Sequence, residues 1–216
     1  MEKPKKKGRY HHGDLRRALM DAALELVHEK GPHGFTMREA ARRAGVSSGA
    51  PYKHFPDHDA LMRELLIEGW DKMNVDMQAR MAEEENATQR FRAMGVAHVL
   101  FAVRYPAYFR VMNMPEYADP EADPRIAARL EESQGWMLSL VTQARQSGEI
   151  ATHEPLVVAL AGQCLTYGLA RLFVDGHLRQ LGVHDDQAES LAIAVTEVLG
   201  LGLQPRLGPE ETAGEP

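Results

Sequence analysis

Apolar side chains along this chain recur at intervals of three and four residues, and no stretch of any length alternates in the manner of a β-strand. The first helical segment carries its apolar stripe on five residues: Leu15, Leu19, Ala22, Ala23 and Leu26. Asp14 can cap its start, and Gly31-Pro32 is a typical helix end. The pattern predicts a helix of about sixteen residues, roughly 24 Å long at 1.5 Å per residue.

A second, shorter helix is predicted from Thr36 to Ala44. Thr36 and Glu39 have the spacing of a capping box, in which each side chain satisfies a free backbone amide at the helix start. Gly45 follows where a tight turn needs a positive φ. Ser47 can then cap a third, very short helix that reaches residues 52–55 and is stopped by Pro56.

The rest of the chain has the pattern of longer helices. Asp57 is a suitable cap for a helix that runs to about Glu84. Further helices are predicted over residues 88–104, 107–112, 124–146, 154–179 and 185–202. The sequence therefore predicts an all-α fold of about nine helices, in which a three-helix domain is joined by the long helix to an all-helical domain.

The same pattern divides the chain into four regions. We predict a flexible basic arm over 1–13, a helix-turn-helix domain over 14–56, a helical domain over 57–203 and a disordered tail over 204–216. The chain is 44% apolar and 26% charged, which is an ordinary globular balance and excludes a disordered or collagen-like protein.

The composition also bears on the cellular compartment. No run of eighteen apolar residues is present, and no apolar stretch follows the charged N-terminus, so we expect neither a membrane span nor a secretory signal. The lone cysteine, Cys164, excludes an intrachain disulfide and is expected to be a small buried apolar residue. These features predict a reducing, cytoplasmic location.

Charge is distributed unevenly along the chain. Residues 1–56 hold twelve lysines and arginines against six acids, a net charge of +6, whereas the whole chain carries −6. The remainder therefore carries −12. A basic first quarter on an acidic remainder favours a domain that binds a polyanion. The alternative is that the basic residues only aid solubility.

Residues 36–55 have the layout of a helix-turn-helix, whose second helix places its N-terminal residues in the major groove of DNA. Five residues of the second helix are polar or amphipathic, where a core helix would show leucine and valine: Ser47, Ser48, Tyr52, Lys53 and His54. Four apolar residues can hold the two helices together: Phe35, Ala40, Val46 and Phe55. A helical corner without a DNA-binding role would contain the same kind of glycine turn.

Residues 15–61 resemble the N-terminal domain of the TetR family of bacterial transcriptional repressors. The family pattern appears here as Ala22-Ala23, Leu26, Gly31, Gly34-Phe35-Thr36, Met37, Arg38-Glu39-Ala40-Ala41, Ala44-Gly45-Val46-Ser47, Gly49, Tyr52, His54-Phe55 and Leu61. The sequence departs from the family at His58, where a lysine that meets a phosphate is common. A histidine is mostly neutral at pH 7, so this contact would be weaker or pH-sensitive.

The resemblance implies DNA contacts for a defined set of residues. Contacts to phosphates fix the register of a protein on DNA, and contacts to base edges carry sequence information. The implied phosphate or base contacts are Thr36, Arg38, Ser47, Ser48, Gly49, Pro51, Tyr52, Lys53, His54 and His58. The basic arm can also reach a minor groove or follow the phosphates, through Lys6, Lys7 and Arg9.

The C-terminal half resembles a ligand-sensing and dimerising domain of the same family, in the subgroup marked by a Trp, His, Gly signature. The resemblance lies in residues 105–112 and in 167–170, where Tyr167 replaces the histidine, the glycine is kept and no tryptophan is nearby. Candidate ligand contacts are Phe101, Tyr105, Tyr108, Phe109, Met112, Trp136, Leu140 and Tyr167. Plain core packing explains such aromatic and methionine stripes equally well.

Two adjacent amphipathic helices near the C-terminus favour a homodimer. The two helices from each subunit could form a four-helix interface, and twofold dimers are the commonest oligomers. The candidate interface residues are Leu160, Gln163, Cys164, Leu191, Val195, Val198 and Leu199. The alternative is that both helices only close the core of their own subunit.

The sequence thus favours a ligand-responsive DNA-binding repressor that acts as a homodimer on a near-palindromic operator. The alternatives are a DNA-binding protein without an effector and an all-helical enzyme. The enzyme is disfavoured because the chain has no G-x-S-x-G, Walker, G-x-G-x-x-G or H-E-x-x-H motif. We expect no cofactor and no metal, since His11-His12 form a poor chelating pair and His98 is expected at the surface or as a helix cap.

Overall fold

A computed structural model of the chain describes residues 12–121, 123–150 and 154–203. Over these residues the chain forms eight α-helices and three short 3₁₀ segments, with no β-strand. The predicted all-α fold is therefore confirmed. The helices are α1 (His12–Lys30), α2 (Met37–Arg43), α3 (His58–Met81), α4 (Ala87–Arg104), α5 (Pro106–Met112), α6 (Pro124–Gln146), α7 (Pro155–Val174) and α8 (Ala188–Leu203).

Local hydrogen bonds fix the start of α2 and the turn that follows it. The Glu39 amide donates to Thr36 Oγ1 at 3.3 Å, and the Thr36 amide donates to Glu39 Oε2 at 3.0 Å, so the predicted capping box is confirmed. Gly45 has a φ of +72°. This left-handed conformation is open to glycine because glycine lacks the Cβ that would clash there. The predicted glycine turn is confirmed as well.

The segment after Gly45 differs from the prediction. We expected an α-helix capped by Ser47, but the chain forms successive turns and a 3₁₀ segment at Pro51–Lys53. The Ala50 amide donates to Ser47 O at 3.0 Å, and the His54 amide donates to Pro51 O at 2.9 Å. An α-helix would need the residue at position 51 to donate to Ser47 O. Pro51 has no N–H, so the helical turn cannot close.

Side-chain caps start three of the longer helices. Asp57 Oδ1 accepts from the Ala60 amide at 2.7 Å at the start of α3, and Asp123 Oδ1 accepts from the Arg125 amide at 2.9 Å at the start of α6. The Asp57 cap was predicted, whereas for α6 only the start at Pro124 was predicted and not the Asp123 cap. Asn86 Oδ1 accepts from the amide three residues later, Gln89 N, at 2.9 Å, and this cap of α4 was not predicted.

The predicted helix over 154–179 is shorter in the structure. It ends at Val174 because Gly176 adopts a φ of +76°, after which a 3₁₀ segment runs over His177–Leu181. Leu178 in that segment is buried. Its apolar position continues the helical spacing of the preceding residues, and this is why the sequence pattern alone extended the helix.

The described chain divides into two compact units. The head consists of the described residues up to Gly69 together with Ala107–Asp119, and so contains α1, α2, the first half of α3, and α5 apart from its first residue, Pro106. The body consists of Trp70–Pro106 and the described residues from Pro120 onward. The sequence had placed the boundary between residues 56 and 57, at the start of α3.

The body is built around α4, which packs against α6, α7 and α8. Two glycines allow close contact between α4 and α7. A Cβ added to Gly95 would lie 2.8 Å from Thr166 Cγ2, and one added to Gly162 would lie 2.6 Å from Phe91 Cζ. By length and composition α7 could also cross a membrane. This is weak support for a span, because core helices share these properties.

Candidate DNA-contacting surface and ligand cavity

The predicted DNA-contacting residues after α2 form an exposed segment of the head. Ser47, Ser48 and Gly49 are exposed, and Tyr52 is 52% exposed. Pro51 in the same segment is buried. Phe55, which follows it, is 2% exposed and lies 5.4 Å from the Arg16 guanidinium, measured to the ring centre. Buried residues therefore anchor a segment whose polar side chains remain open to solvent.

The cations around α2 fall into two groups. Lys30 Nζ lies 2.8 Å from Glu39 Oε1, and Arg43 Nη1 lies 2.7 Å from Glu29 Oε1. The hydrogen bond from Lys30, with help from the Thr36 amide, lowers the pKa of Glu39. Within the part of the chain that the structure describes, no carboxylate lies within 4 Å of the exposed Arg38 or Lys53. These two cations remain available to a polyanion.

His58, the first residue of α3, stands in an aromatic environment. Its ring centre lies 4.8 Å from that of Phe35 and 6.4 Å from that of Tyr117. Burial lowers the pKa of His58, against the opposing effect of Asp59. At pH 7 the residue therefore offers a neutral imidazole in the place where the resemblance implied a phosphate contact.

Ten of the thirteen predicted DNA contacts lie in the head, between Thr36 and His58. Thr36 is exposed at the start of α2, while its hydroxyl is engaged in the capping box. Lys6, Lys7 and Arg9 of the predicted arm lie outside the described residues, as does the predicted tail over 204–216.

The body contains a cavity of about 550 Å³, which we call the body cavity. Its volume is within the range of about 300–1,000 Å³ that is usual for small-molecule sites. Residues of α3, α4, α6, α7 and α8 line it. Most of its wall is apolar and includes Trp70, Met73, Met77, Phe91, Met94, Leu130, Met137, Val141, Ile150 and Val158.

Neutral polar groups interrupt this apolar wall. The hydroxyls of Thr166 and Thr196 donate to Gly162 O at 2.9 Å and to Ala192 O at 2.8 Å. His98 also lines the cavity, and burial lowers its pKa to about 4. The imidazole is therefore neutral at pH 7. The expectation that His98 lies at the surface or caps a helix is wrong, because residue 98 falls on the inner face of α4.

Three charged side chains of the described residues lie on the cavity wall: Arg92, Glu149 and Glu197. Arg92 Nη1 is 3.4 Å from Glu197 Oε1. Glu149 Oε2 accepts from the Thr88 amide at 2.9 Å, and Glu149 Oε1 accepts from Ser147 Oγ at 2.7 Å. Burial raises the pKa of Glu149, but these hydrogen bonds outweigh it and the net pKa is lowered. Glu149 is therefore ionised.

None of the eight candidate ligand residues lines the body cavity. Two of them, Trp136 and Leu140, instead line a separate, smaller pocket of about 320 Å³. Tyr108, Phe109 and Met112 are buried in the head, and Phe101 is buried in the body. Tyr105 lies beside Phe101, with 5.3 Å between ring centres, and Tyr167 is 37% exposed.

The candidate dimer residues occupy three kinds of position. Leu160, Cys164 and Val198 are exposed, so the expectation of a buried Cys164 is wrong. Leu191 and Val195 pack partly against the body core, whereas Gln163 and Leu199 line the body cavity. The exposed face of α7 also carries apolar residues that the sequence analysis did not select: Leu156, Val157 and Leu172.

The cavity-lining residues that the sequence analysis missed do follow a pattern in the sequence. Phe91, Met94 and His98 recur at helical spacing on α4, and Met73 and Met77 do so on α3. A histidine in an apolar stripe that also contains several methionines is the signal that could have identified this wall, because methionine adapts its shape to irregular spaces.

Comparison with known proteins adds to this geometry. Residues 19–65 match the family model for bacterial regulatory proteins of the tetR family, and residues 91–198 match that of the tetracyclin repressor-like C-terminal domain. The HTH-type transcriptional regulator BetI of Escherichia coli (strain K12 / DH10B) is 47% identical over 51 residues. This match covers 24% of the present chain and about a quarter of BetI.

Two solved structures resemble nearly the whole chain. A protein of unknown function from Rhodococcus sp. RHA1 is 30% identical, with a TM-score of 0.75, over 92% of this chain and 100% of its own. AibR, solved in complex with isovaleryl coenzyme A and operator DNA, is 21% identical, with a TM-score of 0.67, over 89% of this chain and 99% of its own. The second similarity concerns the fold alone.

Proposed function

Because this chain belongs to the TetR family of bacterial regulatory proteins, which are DNA-binding transcriptional regulators, we propose that it is a repressor whose affinity for operator DNA changes when a small apolar or amphipathic molecule binds in the body cavity. The observation that carries the proposal is the presence in one chain of an exposed polar segment after α2 and a cavity of about 550 Å³. A DNA-binding protein without an effector would have no need of such a cavity.

The proposed DNA contacts follow from exposure and charge. Arg38 and Lys53 would meet phosphates, and their lack of a nearby carboxylate among the described residues supports this role. Ser47, Ser48 and Gly49 would lie at base edges or adjacent phosphates. A Cβ added to Gly49 would have no atom within 4 Å, so nothing within the head itself requires a glycine there.

We propose that the protein acts as a homodimer through α7 and α8. Leu156, Val157 and Leu160 on α7 are 57%, 61% and 46% exposed, and Val198 on α8 is 71% exposed. Contiguous exposed apolar residues of this kind are typical of interaction surfaces. A twofold dimer presents two copies of the exposed segment after α2 to successive major grooves, about 34–36 Å apart. It therefore favours a near-palindromic operator.

The proposed link from ligand to DNA runs through α3. Its residues up to Gly69 belong to the head, while Trp70, Met73 and Met77 line the body cavity. A ligand that touches this second half of α3 would favour one position of the helix over another and thereby change operator affinity. AibR has a similar fold and was solved with both isovaleryl coenzyme A and operator DNA. This supports the proposal that a chain with this fold can bind a small molecule as well as DNA.

The proposal is tested by capturing genomic DNA fragments with the purified protein, sequencing them and measuring affinity for the recovered site. We expect a near-palindromic site and an affinity that falls steeply between 50 and 200 mM salt. A flat salt dependence would contradict DNA binding. Equal operator affinity with and without a bound effector would contradict the regulatory link.

We also propose that the protein is cytoplasmic and has no catalytic activity. Its regulator architecture supports both statements, and the sequence carries none of the nucleophile or nucleotide motifs sought above. In the described ranges, no group of three or more histidine, cysteine or acidic side chains could hold a metal ion. A hydrolase or transferase activity in the purified protein that is lost on cavity substitution would contradict this view.

A further inference from the structure

The charge of the body cavity restricts what can bind there. Among the described residues, its wall carries one cation, Arg92, and two acids, Glu149 and Glu197. The guanidinium of Arg92 already faces Glu197 across 3.4 Å. A ligand carboxylate or phosphate would therefore have to share this guanidinium with Glu197, and among the described residues it would meet a wall with a net negative charge.

The start of α4, which faces the cavity, is also occupied. A helix N-terminus attracts anions because its first amides have no partner within the helix. Here the Thr88 amide donates to Glu149 Oε2 at 2.9 Å, and the Gln89 amide donates to Asn86 Oδ1 at 2.9 Å. The protein thus supplies its own carboxylate at the position where a ligand anion would otherwise bind.

In the part of the chain that the structure describes, the rest of the wall offers no positive charge in place of Arg92. His98 on α4 also lines the cavity, and burial keeps its imidazole neutral at pH 7. Ser133 on α6 is buried and lines the same space. Neutral hydrogen-bonding groups set among methionine and aromatic side chains suit a neutral, mostly apolar molecule, since an unpaired buried charge is costly.

We propose that the effector is an uncharged, largely apolar molecule with a hydroxyl or carbonyl group for the neutral polar residues, and that carboxylates and coenzyme A thioesters are not its ligands. This inference rests on the proposed function, because it names the chemical class that the regulatory cavity accepts. A volume of about 550 Å³ holds roughly eighteen groups of water size at ~30 Å³ each. The ligand class thus differs from the isovaleryl coenzyme A bound to AibR.

The test compares three molecules that share a twelve-carbon chain and differ in the head group: 1-dodecanol, dodecanoate and dodecanoyl-coenzyme A. Each displaces Nile red, a neutral fluorescent apolar dye, from the full-length protein at pH 7.5 and below its solubility limit. We expect dodecanol to compete at least tenfold more strongly than either anion. Equal or stronger competition by dodecanoate or the thioester would overturn the inference, and so would a failure of all three to compete.

Glu149→Gln tests the proposed cause. The glutamine carbonyl can still accept from the Thr88 amide, but the charge is gone. We expect competition by dodecanoate to strengthen at least threefold while that of dodecanol stays within twofold. Glu131→Gln removes an exposed charge that does not line the cavity and should change neither value. An unchanged preference in Glu149→Gln would overturn the role of this carboxylate.

Two filling variants separate this inference from the proposed function. Met137→Trp narrows the cavity, and Gln134→Trp does so from a more exposed position that tolerates the change in case the first variant unfolds. Either should weaken Nile red binding at least fivefold. If dye binding is unchanged in a folded variant, the cavity is not a ligand site and the proposed function fails. If the dye is lost but the anions compete better than the alcohol, only the ligand class is wrong.

Discussion

The head and the body differ in whether the residues proposed to bind a partner are also the residues that stabilise the fold. In the head, the side chains proposed to contact DNA are exposed, while the residues that hold them in place, such as Phe55, are buried. In the body, residues such as Met73 and Met137 line the cavity and also form part of the packed interior. Function and stability are therefore separable in the head and shared in the body.

The largest effect that tests this comparison comes from substituting two aromatic residues of the head, Phe55 and Tyr52. Phe55→Ala should lower the free energy of unfolding by about 3–5 kcal/mol, because it opens a cavity in the head core. Tyr52→Ala, at a side chain that is 52% exposed, should change it by less than about 0.5 kcal/mol. Urea titration of both variants measures the difference. Similar losses of unfolding free energy in the two variants would show that the segment after α2 is itself part of the core.

The next effect concerns the body, where the protonation of His98 should make the free energy of unfolding depend on pH. The pKa of His98 is about 4 in the folded protein and about 6.5 when unfolded. Between these values only the unfolded chain binds the proton, so the stability contributed by His98 is complete above pH 6.5 and is lost as the pH falls towards 4. The loss between pH 7.5 and 5 should be on the order of 2 kcal/mol.

His98→Gln isolates this effect from the other titrating groups. The variant keeps a neutral polar side chain but cannot take up the proton. Its stability, measured by urea unfolding at several pH values, should fall less than that of the unchanged protein over the same interval. Parallel pH curves for the two proteins would show that His98 is hydrated and titrates normally.

A third effect compares two glycines of the body. Gly95→Ala should destabilise the protein by about 1–3 kcal/mol, because its Cβ would lie 2.8 Å from Thr166 Cγ2. Gly135→Ala in α6 has no atom within 4 Å of the new Cβ and should stabilise the protein by about 0.5–1 kcal/mol. Thermal unfolding distinguishes the two. Stabilisation by both substitutions would mean that α4 and α7 can move apart without cost.

The smallest effect concerns single phosphates. Lys53→Ala should reduce the slope of log affinity against log salt by about 1, which corresponds to one lost phosphate contact, and leave the melting temperature unchanged. Lys30→Ala is the matched control because Lys30 is paired with Glu39. Its slope should not change. A change of slope in the control alone would reverse the assignment of the two groups of cations.

The sequence predicted more of the head than of the body, for a physical reason. Capping boxes, glycine turns and exposed polar residues are local, so Thr36, Glu39 and Gly45 reveal their roles within ten residues. The exception is Pro51, whose missing donor converts the expected helix to a 3₁₀ segment. The cavity depends on how five helices meet, and apolar spacing is the same for Phe101 in the core and Phe91 at the cavity.

The exposed segment between Gly45 and Phe55 also affects which substitutions such a regulator can tolerate during evolution. Substitutions at Ser47 and Ser48, which are exposed, should leave folding almost unaffected. Different base pairs can then be favoured without a compensating change elsewhere in the head. Operator sequence and protein can therefore drift together in small steps, each of which leaves a stable intermediate.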